Sequence, residues 1–435
     1  MISRENTFQE SIPRRRWGIA ALLGVGILVS YFDRVNLSVS KEALHGAFGI
    51  SPLLFGFLSS AYNWPYAALQ IPCGLLLDRF GVRRVGIVSV IIWIAASFAA
   101  ALSIGVRTLF GARILLGIGE APSFPGTAKA TGYWFPKDER SLATAMFDSM
   151  AKFSSAVGIP LLGLVLIHFG WRANFALTGI ISVLYLALFF LFYRNPNHDT
   201  KLSTTEREYI RRGGAQPEDP QRAAQGAPLG YLITRKKVIG LAIGYGSYNY
   251  VFYLLLTWLP TYLAEAHHLD LTKSFLYTSV PWLCATAGEL AVGGWLTDSL
   301  IQRGWNATRV RQFFLVGGTS VGLCIFGVPY AHTAQAAVTW IAFALTGLSI
   351  AAPVGWSIPS LIAPRESVGT VGGIMNLSNQ LSGIAAPIVT GFVVTATRTY
   401  HWAFLVAALY LMIGIACYIF LLGEIVQIPE PEKGT

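Results

Sequence analysis

Long apolar stretches alternate with short polar loops along most of the chain. Twelve of these stretches are long enough to cross a bilayer, which takes about 20 mainly apolar residues in a helix. Gly and Pro occur inside them, and membrane helices tolerate both. The short alternating segments of a membrane barrel are absent from the pattern. We therefore predict an all-α integral membrane protein with twelve transmembrane helices, called spans 1–12, at residues 17–39, 55–77, 84–104, 108–134, 142–167, 173–193, 238–260, 275–297, 312–330, 335–359, 369–396 and 402–422.

A polar segment rich in Gly, Pro and charge interrupts this pattern after span 6. It predicts an N-terminal six-helix bundle at 1–193, a cytoplasmic linker at 194–237 and a C-terminal six-helix bundle at 238–435. The two halves resemble each other. "GLLLDRFGVRR" between spans 2 and 3 matches "GWLTDSLIQRG" between spans 8 and 9, and "GIPLLG" in span 5 matches "AAPIVTG" in span 11. Such duplication is typical of transporters whose substrate site lies between the halves.

The composition supports a membrane protein, and the distribution of charge gives its orientation. Hydrophobic residues make up 54% of the chain and charged residues 12%, and the mean hydropathy is +0.53. With the N-terminus placed inside, 23 Lys and Arg residues fall on the inner side and 5 on the outer side. Lysine and arginine favour the cytoplasmic side. We therefore expect both termini in the cytoplasm, and we read the net charge of +10 as orientation and not as nucleic-acid binding. The four cysteines and the histidines show no metal spacing, so no metal or cofactor is expected.

Spans 1 and 4 contain charged residues, and four of them are candidate functional residues. Span 1 carries Asp33 and Arg34 in "SYFDRVNLS", and span 4 carries Arg113 and Glu120 seven residues apart, on nearly the same helix face. A charge at the bilayer centre costs at least about 2.5–3.5 kcal/mol, and residues of this kind are usually functional. The planar guanidinium of Arg34 suits a substrate carboxylate. Burial favours a neutral carboxyl group and a nearby arginine favours the charged form, so Asp33 and Glu120 are candidate proton carriers. The alternative is a static charge network.

Two further charged positions are harder to interpret. Asp148 and Lys152 lie four residues apart in span 5, where they form either a self-neutralising pair or a second positive charge for a diacid substrate. Glu289 in span 8 is another buried acid, and the sequence assigns it no role.

Several motifs resemble those of a known family. "GLLLDRFGVRR" resembles the signature loop of the major facilitator superfamily. "ARILLGIGEAPSFPGTAKATGYWFPKDER", together with "YFDR", "YAALQIPCGLLLDR" and "GGIMNLSNQLSGIAAPIVTG", resembles the anion:cation symporter branch, which carries sugar acids, other organic acids and, in animals, phosphate, sialate and glutamate. The resemblance covers nearly the whole chain. It implies two pseudo-symmetric bundles and proton-coupled symport by alternating access in a bacterial inner membrane, and we expect a monomer.

The resemblance also assigns roles to residues. It implies that Asp33 and Glu120 couple protons, that Arg113 interacts with them and that Arg34 binds the substrate. Together with polar and aromatic positions in the spans, it gives the candidate substrate-binding residues Tyr31, Arg34, Tyr66, Gln70, Lys152, Asn249, Trp356, Asn376 and Asn379. For Tyr253, Asn379 and Gln380, hydrogen bonding between helices is an equal alternative. The expected conformational gate, which does not touch substrate, consists of Gly74, Asp78, Arg79, Arg83, Arg84 and Asp298.

The favoured function is proton-coupled symport of a small organic anion, above all a sugar acid such as a hexonate, hexuronate or aldarate. An organic anion exchanger or a sodium-coupled carrier would keep the same fold. In an exchanger, basic residues from both halves would bind the anion, yet span 7 has no Arg or Lys. A transporter-like sensor would need an added soluble domain, for which the termini look too short. No nucleophile motif such as G-x-S-x-G occurs, so we expect no enzyme activity.

Overall fold

The computed structural model describes residues 13–136, 139–215, 227–364 and 367–431. Within these ranges the regular structure is helical throughout, and no strand occurs. Eight of the described helices are long and apolar enough to cross a membrane on their own, or nine if one bent helix pair is counted as a single crossing. The remaining predicted spans differ from this in two ways. Some are built from shorter helices placed end to end, and two of them share one long helix that is kinked between them.

In the first half, spans 2 and 4 are broken, and the other spans are continuous helices. Span 2 is made of α3, α4 and the start of α5, and span 4 of α6 and α7. Spans 5 and 6 are the two parts of α8. The bounds are α1 (Arg15–Val39), α2 (Lys41–Phe48), α3 (Pro52–Ser60), α4 (Asn63–Ala68), α5 (Gln70–Ala101), α6 (Val106–Glu120), α7 (Ser123–Trp134) and α8 (Arg140–Phe192).

The linker holds α9 (Thr204–Arg212) and α10 (Leu229–Ile233), and the second half follows. Span 8 is interrupted by a π-helical segment, and span 9 ends in a 3₁₀ segment. The bounds are α11 (Lys236–Ala266), α12 (Leu271–Gly288), the π segment (Glu289–Leu296), α13 (Thr297–Gln302), α14 (Ala307–Gly322), the 3₁₀ segment (Leu323–Tyr330), α15 (Ala334–Ser357), α16 (Pro359–Ile362), α17 (Val368–Thr397), α18 (His401–Ala416) and a final π segment (Cys417–Leu422).

Helices α1 and α11 lie at the centre of the molecule. In their most apolar windows 72% and 89% of the residues are buried, whereas the other six long helices bury 33–61%. Those other helices expose large apolar side chains such as Phe313 and Phe420. An apolar surface of this kind suits contact with lipid. Helices α1 and α11 therefore provide the walls between the two halves.

The backbone has a left-handed conformation between spans 2 and 3, 5 and 6, 8 and 9, and 11 and 12. The residues are Gly81, Gly170, Gly304 and Arg398, with φ of +77°, +78°, +89° and +54°. In α5 and α8 the helix continues directly after Gly81 and Gly170, whose ψ values are 161° and 172°. This region of the backbone map is essentially open only to glycine. Glycine is therefore required at these two turns of the first half.

The described ends of the chain lie on one face of the molecule together with the linker. Arg15, at the start of α1, pairs with Asp199 in the linker at 2.9 Å. Near the other end, Tyr231 Oη donates a hydrogen bond to the Pro429 carbonyl at 2.8 Å. We call this side the termini face, and the other side the opposite face.

The two halves touch tightly at the opposite face. A Cβ atom on Gly56 of α3 would lie 2.5 Å from the Pro387 carbonyl oxygen of α17, and one on Gly391 would lie 2.6 Å from the Pro52 carbonyl oxygen. No side chain fits into this contact, so glycine is required on both helices. Span 2 and span 11 are therefore in direct backbone contact here.

Polar contacts reinforce this closure. Lys41 Nζ lies 2.8 Å from Glu265 Oε1, and Tyr400 Oη donates to Glu265 Oε2 at 2.7 Å. Ser38 Oγ donates to the Thr257 carbonyl at 2.7 Å, which joins α1 to α11. The bonds of Lys41 and Ser38 hold the first half against the second at the opposite face, and Tyr400 positions Glu265 within the second half.

Toward the termini face, spans 2 and 11 separate. Asn376 Nδ2 of α17 still donates to Gln70 Oε1 of α5 at 2.9 Å. Beyond this bond, a Cβ added to Gly74, Gly369 or Gly373 would meet no atom within 4 Å. Between spans 2 and 11 the space is therefore closed at the opposite face and wider toward the termini face.

The backbone at Gly170 generates a stability prediction. We expect Gly170→Ala to lower the free energy of unfolding by roughly 1–3 kcal/mol, because alanine is strained at this φ and ψ. The measurement is thermal unfolding of the purified protein in detergent. The control is Gly111→Ala, at a helical position in α6 where an added Cβ meets no atom within 4 Å. That variant should be as stable as the parent or more so, because alanine favours helix over glycine. Equal stability of the two variants would contradict the prediction.

Candidate functional site

A buried ion pair joins α1 to α6 at the centre of the first half. Arg34 Nη2 lies 2.7 Å from Glu120 Oε2, and Arg34 Nε donates to the same oxygen at 2.9 Å. The side chains are 3% and 0% exposed. The guanidinium also lies over three aromatic rings, 4.3 to 5.5 Å from their centres, which belong to Tyr31, Tyr62 and Tyr66. Charge-assisted hydrogen bonds and cation–π contacts together stabilise the arginine away from water.

Asp33 contacts a different part of the first half. Its Oδ1 accepts a hydrogen bond from Ser97 Oγ of α5 at 2.8 Å, and Thr178 of α8 lies beside the same carboxylate. Arg113 Nη1 donates to the Asp33 backbone carbonyl at 3.0 Å, and not to its carboxylate. Neighbouring residues on a helix lie about 100° apart, which accounts for the different partners of Asp33 and Arg34.

This charged group is incompletely hydrogen-bonded. Among the described residues, Glu120 Oε1 and Arg113 Nε are buried without a hydrogen-bond partner. Most buried polar atoms in proteins have one, so such exceptions require an explanation. A proton on Glu120, or a change of partner during a functional cycle, would supply one.

A cavity between the halves begins at Arg34. It brings together eight of the nine predicted substrate-binding residues, namely Tyr31, Arg34, Tyr66, Lys152, Asn249, Trp356, Asn376 and Asn379. The ninth, Gln70, lies at its edge, bonded to Asn376 and to the Tyr66 carbonyl. Tyr253 and Gln380 also line the cavity. The structure thus places these side chains around one space, and their contact with a substrate stays a prediction.

Sequence reasoning missed several aromatic residues of this cavity. They are Phe124, Tyr245, Tyr248 and Phe252. The last three lie on α11 at spacings of three and four residues from one another, so they share a face with Asn249 and Tyr253. The aromatic residues on this face of α11 were the sequence signal that could have identified this side of the cavity. It is easily mistaken for core packing, because α11 is buried on nearly all sides.

A second charged cluster adjoins the cavity. Lys152 Nζ lies 2.7 Å from Asp148 Oδ2 and 3.1 Å from Glu289 Oε2. The local Asp148–Lys152 pair, one of the two predicted alternatives, is therefore present. Glu289 of the second half adds a further acid to it. Glu289 is also the first residue of the π segment in span 8. A π segment in a helix is frequently found at a functional site.

The predicted gate residues make contacts within their own halves. Arg83 donates to the carbonyls of Tyr193 and Phe190 in the first half. Asp298 lies beside Arg311 in the second half. Arg79 and Arg84 are exposed, and Gly74 faces open space. The backbone of Asp78 lies in α5, and its side chain is outside the described part of the structure. A gating role for this set stays a prediction.

Similarity to known proteins identifies the family of this chain. The profile of the Major Facilitator Superfamily matches residues 23–387. The chain belongs to this superfamily. Its relatives include the uncharacterized transporter YybO of Bacillus subtilis (strain 168), which is 39% identical over 97% of this chain and 98% of that protein. The probable galactarate/D-glucarate transporter GarP of Escherichia coli (strain K12) is 31% identical over 94% and 95%. The D-galactonate transporter of Escherichia coli O6:H1 is 30% identical over 95% and 97%.

Solved structures support the same fold. A bacterial homolog of the human lysosomal transporter Spinster, in an inward-facing and occupied conformation, matches with a TM-score of 0.69 and 16% identity. The match covers 94% of this chain and 97% of that one. The predicted all-α fold of two pseudo-symmetric six-helix bundles and the predicted resemblance to sugar-acid transporters are confirmed. This superfamily member is a multi-pass membrane transporter.

The ion pair in the first half generates a second prediction. We expect Glu120→Ala to lower the free energy of unfolding by about 3–5 kcal/mol, because it leaves the buried guanidinium of Arg34 without a counter-ion. The double variant Arg34→Met and Glu120→Ala removes the charge as well, and should recover a large part of this loss. Unfolding of the three proteins in detergent, followed against temperature or denaturant, measures the difference.

The control for this experiment is Glu208→Ala. Glu208 pairs with Arg211 and Arg212 on the exposed surface of α9. Exposed pairs contribute little to stability, so this variant should unfold like the parent. A double variant no more stable than Glu120→Ala alone would show that the unpaired arginine is not the source of the instability.

Proposed function

We propose that this transporter is a proton-coupled symporter that carries a small organic anion, above all a sugar acid, across the bacterial inner membrane. The observation that best supports this proposal is the Arg34–Glu120 pair at the wall of the central cavity. The pair places an anion-binding guanidinium and a protonatable carboxyl group in direct contact. Its relatives support the substrate class, since their names include galactarate, D-glucarate and D-galactonate.

The cavity offers the chemistry that a sugar acid needs. The guanidinium of Arg34 presents a planar set of donors that can bind a carboxylate through two hydrogen bonds. Tyrosine hydroxyl and amide groups around it can bind the hydroxyl groups of a polyol chain. Those of Tyr31, Tyr66, Asn376 and Asn379 are available from both halves. A substrate held in this way would bridge the halves.

Coupling to protons follows from competition for one arginine. The Glu120 carboxylate occupies the guanidinium of Arg34 in this structure. A substrate carboxylate needs the same donors, and two carboxylates at this position would repel each other. Protonation of Glu120 weakens its hold on Arg34 and makes room for the anion. In this scheme Asp33 is a second proton acceptor after Glu120. Arg113, which donates to the Asp33 backbone carbonyl, links the two acids. Proton and anion would therefore load together.

The distribution of basic residues suggests the direction of opening. Because Lys and Arg favour the cytoplasm, we assign the termini face to the cytoplasmic side. The opposite face, closed by Lys41 and Glu265, is then external. In this arrangement the described conformation opens inward. The cycle would require the bundles at 1–193 and 238–435 to rock about the cavity, breaking the external contacts while the cytoplasmic side closes.

Transport assays test the proposed function. In proteoliposomes, an inward proton gradient should drive accumulation of galactarate or D-galactonate, and a protonophore should abolish it. The Glu120→Gln variant resembles the protonated acid and cannot release the proton. It should therefore bind substrate and exchange labelled for unlabelled substrate, yet fail to accumulate it. The readout is the ratio of exchange to net uptake at matched protein levels.

Three results of these assays would count against the proposal. Uptake that requires sodium and ignores the proton gradient would indicate a different coupling ion. A Glu120→Gln protein that still accumulates substrate would remove Glu120 from the coupling mechanism. Parallel loss of exchange and net uptake would instead mean that Glu120 serves only to stabilise Arg34.

The anion-binding role of Arg34 has a separate test. We expect Arg34→Lys to lose substrate binding although the charge is kept, because an ammonium group cannot replace the planar set of donors. Binding of D-galactonate to the purified protein, measured by calorimetry, should weaken by at least about tenfold, equivalent to about 1.4 kcal/mol. The matched control is Arg107→Lys, in the first turn of α6 and on the exposed surface. Unchanged affinity in Arg34→Lys would place the anion elsewhere in the cavity.

A further inference from the structure

The cluster around Lys152 has more acids than bases. Asp148 lies one helical turn before Lys152 on α8, and Glu289 approaches from the second half. The three side chains are 2%, 9% and 0% exposed for Lys152, Asp148 and Glu289. With all three ionised, the cluster would hold one net negative charge away from water. A third carboxylate at this position would add a further uncompensated buried charge, which is strongly unfavourable unless one of the acids becomes neutral.

Glu289 is the member with the weakest attachment. Both of its carboxylate oxygens are buried without a hydrogen-bond partner among the described residues, and its only ion pair there is the 3.1 Å contact with Lys152. Asp148 accepts a hydrogen bond from Lys152 at 2.7 Å and belongs to the same helix. An incoming anion would therefore displace Glu289 before Asp148.

The surroundings of Glu289 contain few other titratable groups. From α8 these are Asp148 and Lys152. From α11 the phenols of Tyr245 and Tyr248 face the cluster. The residues of α15 that pack against the start of the π segment, such as Thr346 and Ile350, are uncharged. Among the described residues, a proton gained by this cluster therefore has Glu289 or Asp148 as its acceptor.

Lys152 and Arg34 line the same cavity, and each forms an ion pair with a glutamate. The relation between Lys152 and Glu289 thus repeats the one between Arg34 and Glu120. We propose that Lys152 is a second anion-binding group, which takes the second carboxylate of a dicarboxylate substrate as Glu289 leaves it and takes up a proton from solution. This inference rests on the proposed function and specifies its substrate class.

The charge balance of this step is simple. Before binding, two carboxylates face one ammonium group. Afterwards, one protein carboxylate and one substrate carboxylate face the same ammonium group, and Glu289 is neutral. The net charge of the cluster is unchanged, so no additional charge is buried. A dicarboxylate would therefore bind with one more proton than a monocarboxylate of the same carbon chain.

Calorimetry can count these protons directly. The probes are two matched pairs, D-glucarate with D-gluconate and galactarate with D-galactonate, in which the members differ only at carbon 6. Titrations of the purified protein at about pH 8, where free carboxyl groups are ionised, in two buffers of different ionisation enthalpy give the number of protons taken up. We expect the dicarboxylate of a pair to take up one proton more than the monocarboxylate.

The Glu289→Gln variant assigns that proton. It keeps the Asp148–Lys152 pair and removes the competing charge. We expect the additional proton uptake to disappear and the affinity for the dicarboxylate at about pH 8 to rise about tenfold, with the monocarboxylate unaffected. A residue that only braced the helices would change the melting temperature without changing the proton count. Glu208→Gln, on the exposed surface of α9, is the control that should leave both quantities unchanged.

The possible results separate this inference from the proposed function. If dicarboxylates and monocarboxylates bind with equal proton uptake, or if the additional proton persists in Glu289→Gln, this inference is wrong and the proposed function stands. If none of the four acids binds, the proposed sugar-acid function fails, and this inference fails with it. The proton count of the parent protein tests the inference even if the variant does not fold.

Discussion

The ion pair between Arg34 and Glu120 is the contact on which the rest of the site depends. It joins α1 to α6 with both side chains out of water, and three tyrosine rings surround the guanidinium. Removing one partner of such a pair is far more costly than keeping both. The arginine can therefore leave Glu120 only for another anion. Under the proposed function, this requirement favours anions in the cavity, because a neutral ligand that displaced Glu120 would leave a buried charge unpaired.

The position of the pair on α1 gives it influence over both halves. α1 is one of the two most buried long helices, and α11, the other, carries the aromatic face of the cavity. Asp33, the neighbour of Arg34, turns toward Ser97 of α5 on the other side of the helix. A change in charge at Asp33 or at Arg34 therefore acts on the other residue over less than one turn of α1. A longer separation would weaken that electrostatic link.

Hydropathy was sufficient to predict the number of spans but not their internal breaks. Span 4 is divided after Glu120, and span 8 changes to a π helix at Glu289. The break in span 4 falls at Pro122, which has no backbone N–H to donate, whereas no proline marks the π segment in span 8. Arg34, Asn376 and their neighbours were predicted from intramembrane polarity and from family motifs, and the structure brings them together. The Lys152–Glu289 contact joins residues far apart in sequence, and no local pattern indicates it.

The same two halves are held together by contacts of different kinds. At the opposite face, the glycine contact of Gly56 with α17 and the Lys41–Glu265 pair lie outside the lining of the cavity. At the cavity, the Lys152–Glu289 contact crosses between the halves and involves a group that an anion would replace. A ligand changes a conformational equilibrium only by contacting the two states differently. Exchanging a protein carboxylate of the second half for a substrate carboxylate is a difference of that kind, because it removes one contact between the halves at the moment of loading.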